Sequence, residues 1–192
     1  RWGTQNIRTF AGPTSSAATA QPARANITNS LRAACEQVAE HGRHLLIETH
    51  PGTLADTLAS TVRLLDEGNH SALAVNFDAL HVWEGGDDPC AARQVLRPKI
   101  RNYHFKNIAT RSALPVFAPN NIYDAAGTRD GIVPLFEGEM DYAPLLHELG
   151  EEPEAPVSLE WFGSDVFDTL RRDCAALRDK LREKATSLQH AS

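Results

Sequence analysis

The sequence predicts an α/β protein: five strand–helix units of a (β/α)8 TIM barrel, lacking about three N-terminal units. Three observations predict it. Short apolar runs alternate with amphipathic helical patterns along the chain, the pattern of parallel strands covered by helices. The strand runs carry charged or imidazole side chains at their ends, where barrel strands carry their chemistry. The 192 residues hold five units, whereas a barrel has eight units and typically ~250 residues. The first residue is Arg1 and the sole methionine is Met140. A chain of this span is therefore expected to be a piece of a longer protein, weakly stable or inactive alone, and robust turnover by 1–192 would overturn that expectation. The rival architecture is a complete open five-stranded sheet. No glycine-rich phosphate loop follows any strand, which counts against its nucleotide-binding form.

The elements follow in order. NIRTFAG (6–12) reads as the first strand, and residues 23–41 as a helix with Leu31, Ala34, Cys35 and Val38 at helical spacing. HLLIET (44–49) is the second strand, stopped by the Pro51-Gly52 turn. Leu54, Leu58, Val62 and Leu65 mark the next helix, with Thr53 expected as its cap. ALAVNFD (72–78) is a strand, 88–97 a shorter helix ending near Pro98, and IRNYHFKN (100–107) a strand. Residues 108–139 carry Gly and Pro punctuation with little periodicity and read as a long loop. Tyr142, Leu145, Leu146 and Leu149 mark a short helix, and APVSLEWF (155–162) is the last strand. Phe167, Leu170, Cys174, Leu177 and Leu181 repeat at 3-4-3-4 spacing in the clearest helix of the chain. Residues 1–182 are thus one barrel segment, and 183–192 a polar tail expected to fray.

Composition excludes several classes. The chain is 42% hydrophobic and 23% charged, with net charge −6 and both signs interspersed, so it offers no basic stripe for nucleic acid. No apolar run reaches the ~20 residues of a membrane span, and no secretory signal opens the chain. Cys35, Cys90 and Cys174 are odd in number and widely spaced, which reads as core thiols in a reducing cytoplasm.

Glu48, Asp78, His104 and Glu160 recur once per strand. The two-residue period puts Glu48 with His50 on one face, and His104 with Lys106. Three carboxylates and an imidazole converging on a barrel mouth would repel one another and lose solvation without a cation. These four residues are therefore the expected metal ligands. An oxygen-rich set with one nitrogen suits Mn2+ first, with Mg2+, Co2+ or Zn2+ as alternatives. Such an ion polarises a carbonyl oxygen while a neighbouring C–H loses its proton. His50 is the natural general base, and Arg8 and Lys106 are placed to bind an anionic group, Arg8 by a two-pronged carboxylate clamp. Trp83 and Trp161 are read as exposed, serving in packing or as pocket walls. The spacing leaves isomerisation, epimerisation and dehydration equally open.

Here the sequence resembles a known family. The layout is similar to the xylose-isomerase-like barrel superfamily. Within it LLIETHPGTLADTL, NFDALHVWEGGDDP, YHFKNI, FAPNNIYDAAGTRDGIVPLFEGEMDY and SLEWFG resemble the metal-dependent 3-dehydroshikimate dehydratases of the petrobactin-siderophore type, from Ile7 to about Leu181. The resemblance implies the same ligands, Glu48, Asp78, His104 and Glu160, with His50, Lys106 and His81 as the catalytic set. It implies substrate contacts from Arg8, His50, His81, Lys106, Phe117 and Phe162. In the implied reaction the C3 ketone is polarised, His50 removes the adjacent proton, the C5 hydroxyl leaves as water, and aromatisation yields protocatechuate. The implied partner is a small molecule, with no nucleic acid or membrane, and a homodimer is the assembly entertained. A sugar-phosphate or hydroxypyruvate-type isomerase or epimerase on the same metal, a DNA-repair endonuclease and a metal-free binding domain are the rival readings.

Overall fold

The computed structural model describes residues 3–150 and 153–189, the stretch 183–189 by its backbone alone. The chain forms two compact units, Arg1–Tyr103 and His104–Ser192.

The first unit opens with β1 (Asn6–Thr9), α1 (Gln21–Ala39), β2 (His44–Glu48), α2 (Leu58–Gly68) and β3 (Leu73–Asp78). It continues with α3 (Ala79–Glu84), α4 (Pro89–Leu96) and a 3-10 turn, then enters β4 (Ile100–Phe105), whose last two residues lie in the second unit. β1, β2 and β3 are parallel neighbours, with Arg8 opposite Leu46 and Glu48 opposite Asn76. That register sorts the side chains into two faces. Leu45, Ile47, Leu73, Val75 and Phe77 form the apolar face, and all are buried. Arg8, Glu48, Asn76 and Asp78 share the other face. Asn102 of β4 donates from Nδ2 to Asn76 Oδ1 at 2.6 Å, so the polar row continues onto the fourth strand.

Helix boundaries follow their caps. Thr57, not Thr53, caps α2 by accepting from the Ser60 N–H at 3.2 Å. Thr53 instead bridges the turn, donating to His50 O at 2.8 Å and accepting from the Ala55 N–H at 3.0 Å. Leu54 accordingly precedes the helix and is fully buried in that turn. Asn69 ends α2 in the left-handed conformation, φ 39°. Asp88 caps α4, with Pro89 in its first turn. The six-residue α3, capped by Asp78, is absent from the sequence reading because its apolar residues run on from β3 with no punctuation.

In the second unit β5 (Asn107–Ile108) pairs antiparallel with β6 (Ile132–Val133). Between them lie a 3-10 turn (Arg111–Phe117) and α5 (Pro119–Ile122). After them come α6 (Ala143–Leu149), β7 (Val157–Leu159) and α7 (Val166–Gln189). The stretch read as a loop is therefore folded around Asn107. Its Nδ2 donates to Leu135 O at 2.7 Å and Met140 O at 2.9 Å, and its Oδ1 accepts from the Ile108 and Met140 N–H groups. Gly138 admits that side chain: a Cβ there would stand 2.3 Å from Asn107 Oδ1. β7 lies beside the end of β4, where the Glu160 N–H donates to Phe105 O at 2.9 Å.

Helix α7 continues to Gln189, through the first residues of the polar tail. Leu177 and Leu181 are buried, but Phe167, read as part of the same stripe, is 84% exposed. Cys35 is buried and its thiol is pushed up to about 11 by burial, against the pull of the Lys99 ammonium. Cys90 and Cys174 are half-buried rather than core, and none of the three cysteines is in a disulfide. No described helix is long and apolar enough to cross a membrane.

Candidate metal and active site

In the first unit the proposed ligands Glu48 and Asp78 close β2 and β3 and are almost wholly buried, 1% and 0% exposed. They offer carboxylate oxygens within 4.8 Å of each other. Two buried carboxylates that close favour a cation between them. Arg8 supplies one positive charge, its guanidinium pairing with Glu48 Oε2 and lying 5.0 Å from the Phe10 ring centre. Asp78 divides its work. Oδ1 accepts the His81 N–H at 3.1 Å, while its backbone N–H and carbonyl both engage the Thr49 hydroxyl. Oδ2 faces His81 Nε2 at 3.8 Å, beyond hydrogen-bonding range.

His50 lies just past β2, half-buried, its ring 4.9 Å from Phe10 and 4.3 Å from His81. Its Nδ1 sits 2.7 Å from the Pro51 carbonyl oxygen. A carbonyl can only accept, so the ring proton is on Nδ1 and the neutral ring keeps its lone pair on Nε2. That is the tautomer of a general base. His81 is 2% exposed, with Nδ1 2.7 Å from Glu84 Oε2.

In the second unit the side chains of His104 and Lys106 meet Glu160. Lys106 Nζ donates to Glu160 Oε2 at 2.7 Å, and His104 Nε2 lies 3.6 Å from Oε1. Lys106 is 5% exposed, so its charge depends on that carboxylate. Its ammonium also stands 5.1 Å from the Phe117 ring centre, and Phe117 lies 6.4 Å from Phe162. Tyr142 fixes the backbone at this point, donating to Lys106 O at 2.7 Å and accepting its N–H at 3.3 Å. Trp83 and Trp161 are half-buried rather than exposed, and the Trp161 indole N–H donates to Ser164 O at 2.7 Å.

Sequence reasoning missed Glu84, Tyr142, Phe10 and Thr49. Only Glu84 left a signal: it follows His81 by three residues, a helical neighbour spacing.

A model of the xylose isomerase-like TIM barrel family matches residues 2–186. The chain belongs to that family. Among xylose isomerase-like proteins, it is 47% identical over 184 residues to a Bacillus anthracis protein named 3-dehydroshikimate dehydratase, covering 96% of this chain and 65% of that one. A crystal structure described as the probable 3-DHS dehydratase AsbF, involved in petrobactin synthesis in Bacillus anthracis, superposes with a TM-score of 0.87. That match has 47% identity and covers 90% of this chain and 63% of the other. A xylose isomerase-like barrel from Mycobacterium smegmatis, described in complex with magnesium, matches at TM-score 0.61 and 17% identity over 93% and 63% of the two chains, a likeness of fold. The chain thus spans a little under two thirds of the length of the first relatives it matches.

Proposed function

We propose that this chain carries the catalytic part of a 3-dehydroshikimate dehydratase, which converts 3-dehydroshikimate to protocatechuate and water. The observation that carries the reading is the 47% identity across 96% of the chain to the Bacillus anthracis enzyme of that name. We assign Glu48, Asp78, His104 and Glu160 to one divalent cation, Mn2+ foremost, with Mg2+, Co2+ and Zn2+ as alternatives. The buried Glu48–Asp78 pair and the Glu160–His104 pair supply the hard oxygens and single nitrogen that such an ion takes.

Bound there, the ion supplies a Lewis acid for the substrate ketone oxygen. His50 takes the proton beside that ketone on Nε2, because Nδ1–H is held by the Pro51 carbonyl. The substrate hydroxyl then leaves as water with the proton His50 returns, and the ring enolises to the aromatic product. Arg8, which pairs with Glu48 and keeps 44% of its side chain exposed, is assigned to the substrate carboxylate. Lys106 brings a positive charge to the same anionic substrate, and His81, Phe117 and Phe162 bound its ring. The reading includes a cytoplasmic setting, consistent with three cysteines outside any disulfide, and allows a homodimer. The product serves catecholate siderophore assembly or quinate and shikimate breakdown equally well.

The test is to incubate the whole protein, rather than residues 1–192 alone, with Mn2+ and 3-dehydroshikimate and follow the protocatechuate ultraviolet band. Appearance of the band is expected, and His50→Ala should slow it by about 10²–10⁴-fold while leaving Mn2+ binding intact. Interconversion of a keto-sugar without protocatechuate, or an unaffected His50→Ala variant, would overturn the proposal.

A further inference from the structure

Lys106 is the single residue between two strands of different sheets. β4 ends at Phe105 in the five-stranded sheet, and β5 begins at Asn107 in the antiparallel pair with β6. Lys106 itself belongs to neither strand, although it is 5% exposed. Buried N–H and carbonyl groups need partners, and leaving one unpaired costs more than the bond itself gains. The Tyr142 hydroxyl serves both groups, donating to Lys106 O at 2.7 Å and accepting its N–H at 3.3 Å. The next residue returns the grip. Asn107 donates from Nδ2 to Met140 O at 2.9 Å and accepts the Met140 N–H on Oδ1 at 3.3 Å. Tyr142 stands two residues on, at the start of α6, its carbonyl accepting the Leu146 N–H at 2.9 Å. Each segment therefore closes two main-chain groups of the other, and Lys106, Asn107, Met140 and Tyr142 are all buried.

We propose that Tyr142 is a positioning residue: by holding the Lys106 peptide on both sides, its hydroxyl aims the Lys106 side chain at the anionic group of the substrate. A long side chain magnifies any rotation of the main chain at its root, so the grip on the peptide decides where the terminal nitrogen stands. Lys106 leaves the clasp into a corner of charge and aromatic surface, with Glu160 Oε2 2.7 Å from Nζ and the Phe117 ring centre 5.1 Å away. Phe105, one residue before it, accepts the Glu160 N–H at 2.9 Å and packs its ring 4.9 Å from that of Tyr142. Packing thus seats the Tyr142 ring on the strand end, and the hydroxyl orients the peptide that follows. Tyr142→Phe keeps the first contact and removes the second. The kinetic part of this inference rests on the dehydratase reading, whereas the hold on the Lys106 peptide does not.

The experiment uses the whole protein and the variants Tyr142→Phe, Lys106→Met and the two combined. Hydrogen exchange resolved at single amides by NMR reads the hold. The Lys106 amide should be protected in wild type and exchange at least about tenfold faster in Tyr142→Phe, measured against the Leu146 amide that α6 itself holds. Turnover of 3-dehydroshikimate with Mn2+ reads the aim. kcat/KM should fall roughly 10–100-fold in Tyr142→Phe. The same substitution made in Lys106→Met should change kcat/KM by less than about twofold, because its effect passes through Lys106. A merely structural role would lower activity equally in both backgrounds, and that result overturns the proposal. An unchanged Lys106 amide in Tyr142→Phe overturns it too. Should Tyr142→Phe not fold, the wild-type amide decides: one as slow as Leu146 upholds the hold, and one as fast as a surface amide overturns it. Lost protection in a protein whose wild type shows no dehydratase turnover rejects the dehydratase reading and upholds the hold of Tyr142 on Lys106.

Discussion

Tyr142 commits its hydroxyl to Lys106 twice, once to the carbonyl and once to the N–H. Its ring packs 4.9 Å from Phe105, so Tyr142→Phe removes the oxygen and keeps the packing. Two buried backbone groups then lose a partner. The expected cost is about 1–3 kcal/mol, read as a lower urea midpoint with an unchanged slope. The same scale shows what one dimension conveys. Glu48 with His50 and His104 with Lys106 are legible because a strand repeats every two residues. The partners Arg8–Glu48, Lys106–Glu160 and Tyr142–Lys106 join distant parts of the chain, and no local spacing announces them. Thr53 and Thr57 illustrate a finer ambiguity: both suit a helix cap, and the turn after Pro51-Gly52 claims the first of them.

Between helices α1 and α2, packing is fastened by arginines. Arg24, 4% exposed, donates to Glu67 Oε2 at 2.7 Å, Arg63 holds Oε1 at 2.7 Å, and Arg32 donates to Glu67 O and Gly68 O at the end of α2. Burial, the largest single influence on the Glu67 carboxyl, would raise its pKa. The hydrogen bonds and charges of Arg24 and Arg63 together outweigh it and hold the pKa below the ordinary 4.5. A pKa depressed by folding gives stability that is present above 4.5 and lost as pH falls through the lower folded-state value. The stability difference between wild type and Glu67→Gln should therefore be constant near neutrality and shrink only on the acid side of that window. Chemical denaturation of both proteins across pH measures it; a difference that grows on acidification would contradict the assignment. Elements of this length were readable in sequence because each shows a full hydrophobic period or a bounded apolar run. The two-residue strands β5 and β6 and the single-turn α5 show neither; Asn107 ties β5 to Leu135 and Met140, and Asn121 ties α5 to Val116 and Thr128, through side-chain bonds that carry no periodic trace.

For the molecule as a whole, the proposed cation would sit on the buried carboxylates Glu48 and Asp78, so its binding energy is also folding energy. Chelation should lower the melting temperature, and Mn2+ at about 100 times its dissociation constant should restore roughly 2.7 kcal/mol. Glu48→Gln should abolish the response to Mn2+, and an unaltered shift in that variant would remove Glu48 from the ligand set. The parallel order of β1, β2 and β3 and the polar row along their shared face were both foreseeable from strand–helix alternation. The two adjacent imidazoles of His50 and His81 also differ in how they can change across a lineage. The partner of His81 is a side chain, so a one-residue replacement of Glu84 can retune it. The partner of His50 is the carbonyl of Pro51, a group that every residue type supplies. No substitution deletes that oxygen, and only a reshaped turn could move it. Selection can therefore vary the hold on His81 while the hold on His50 stays written into the backbone.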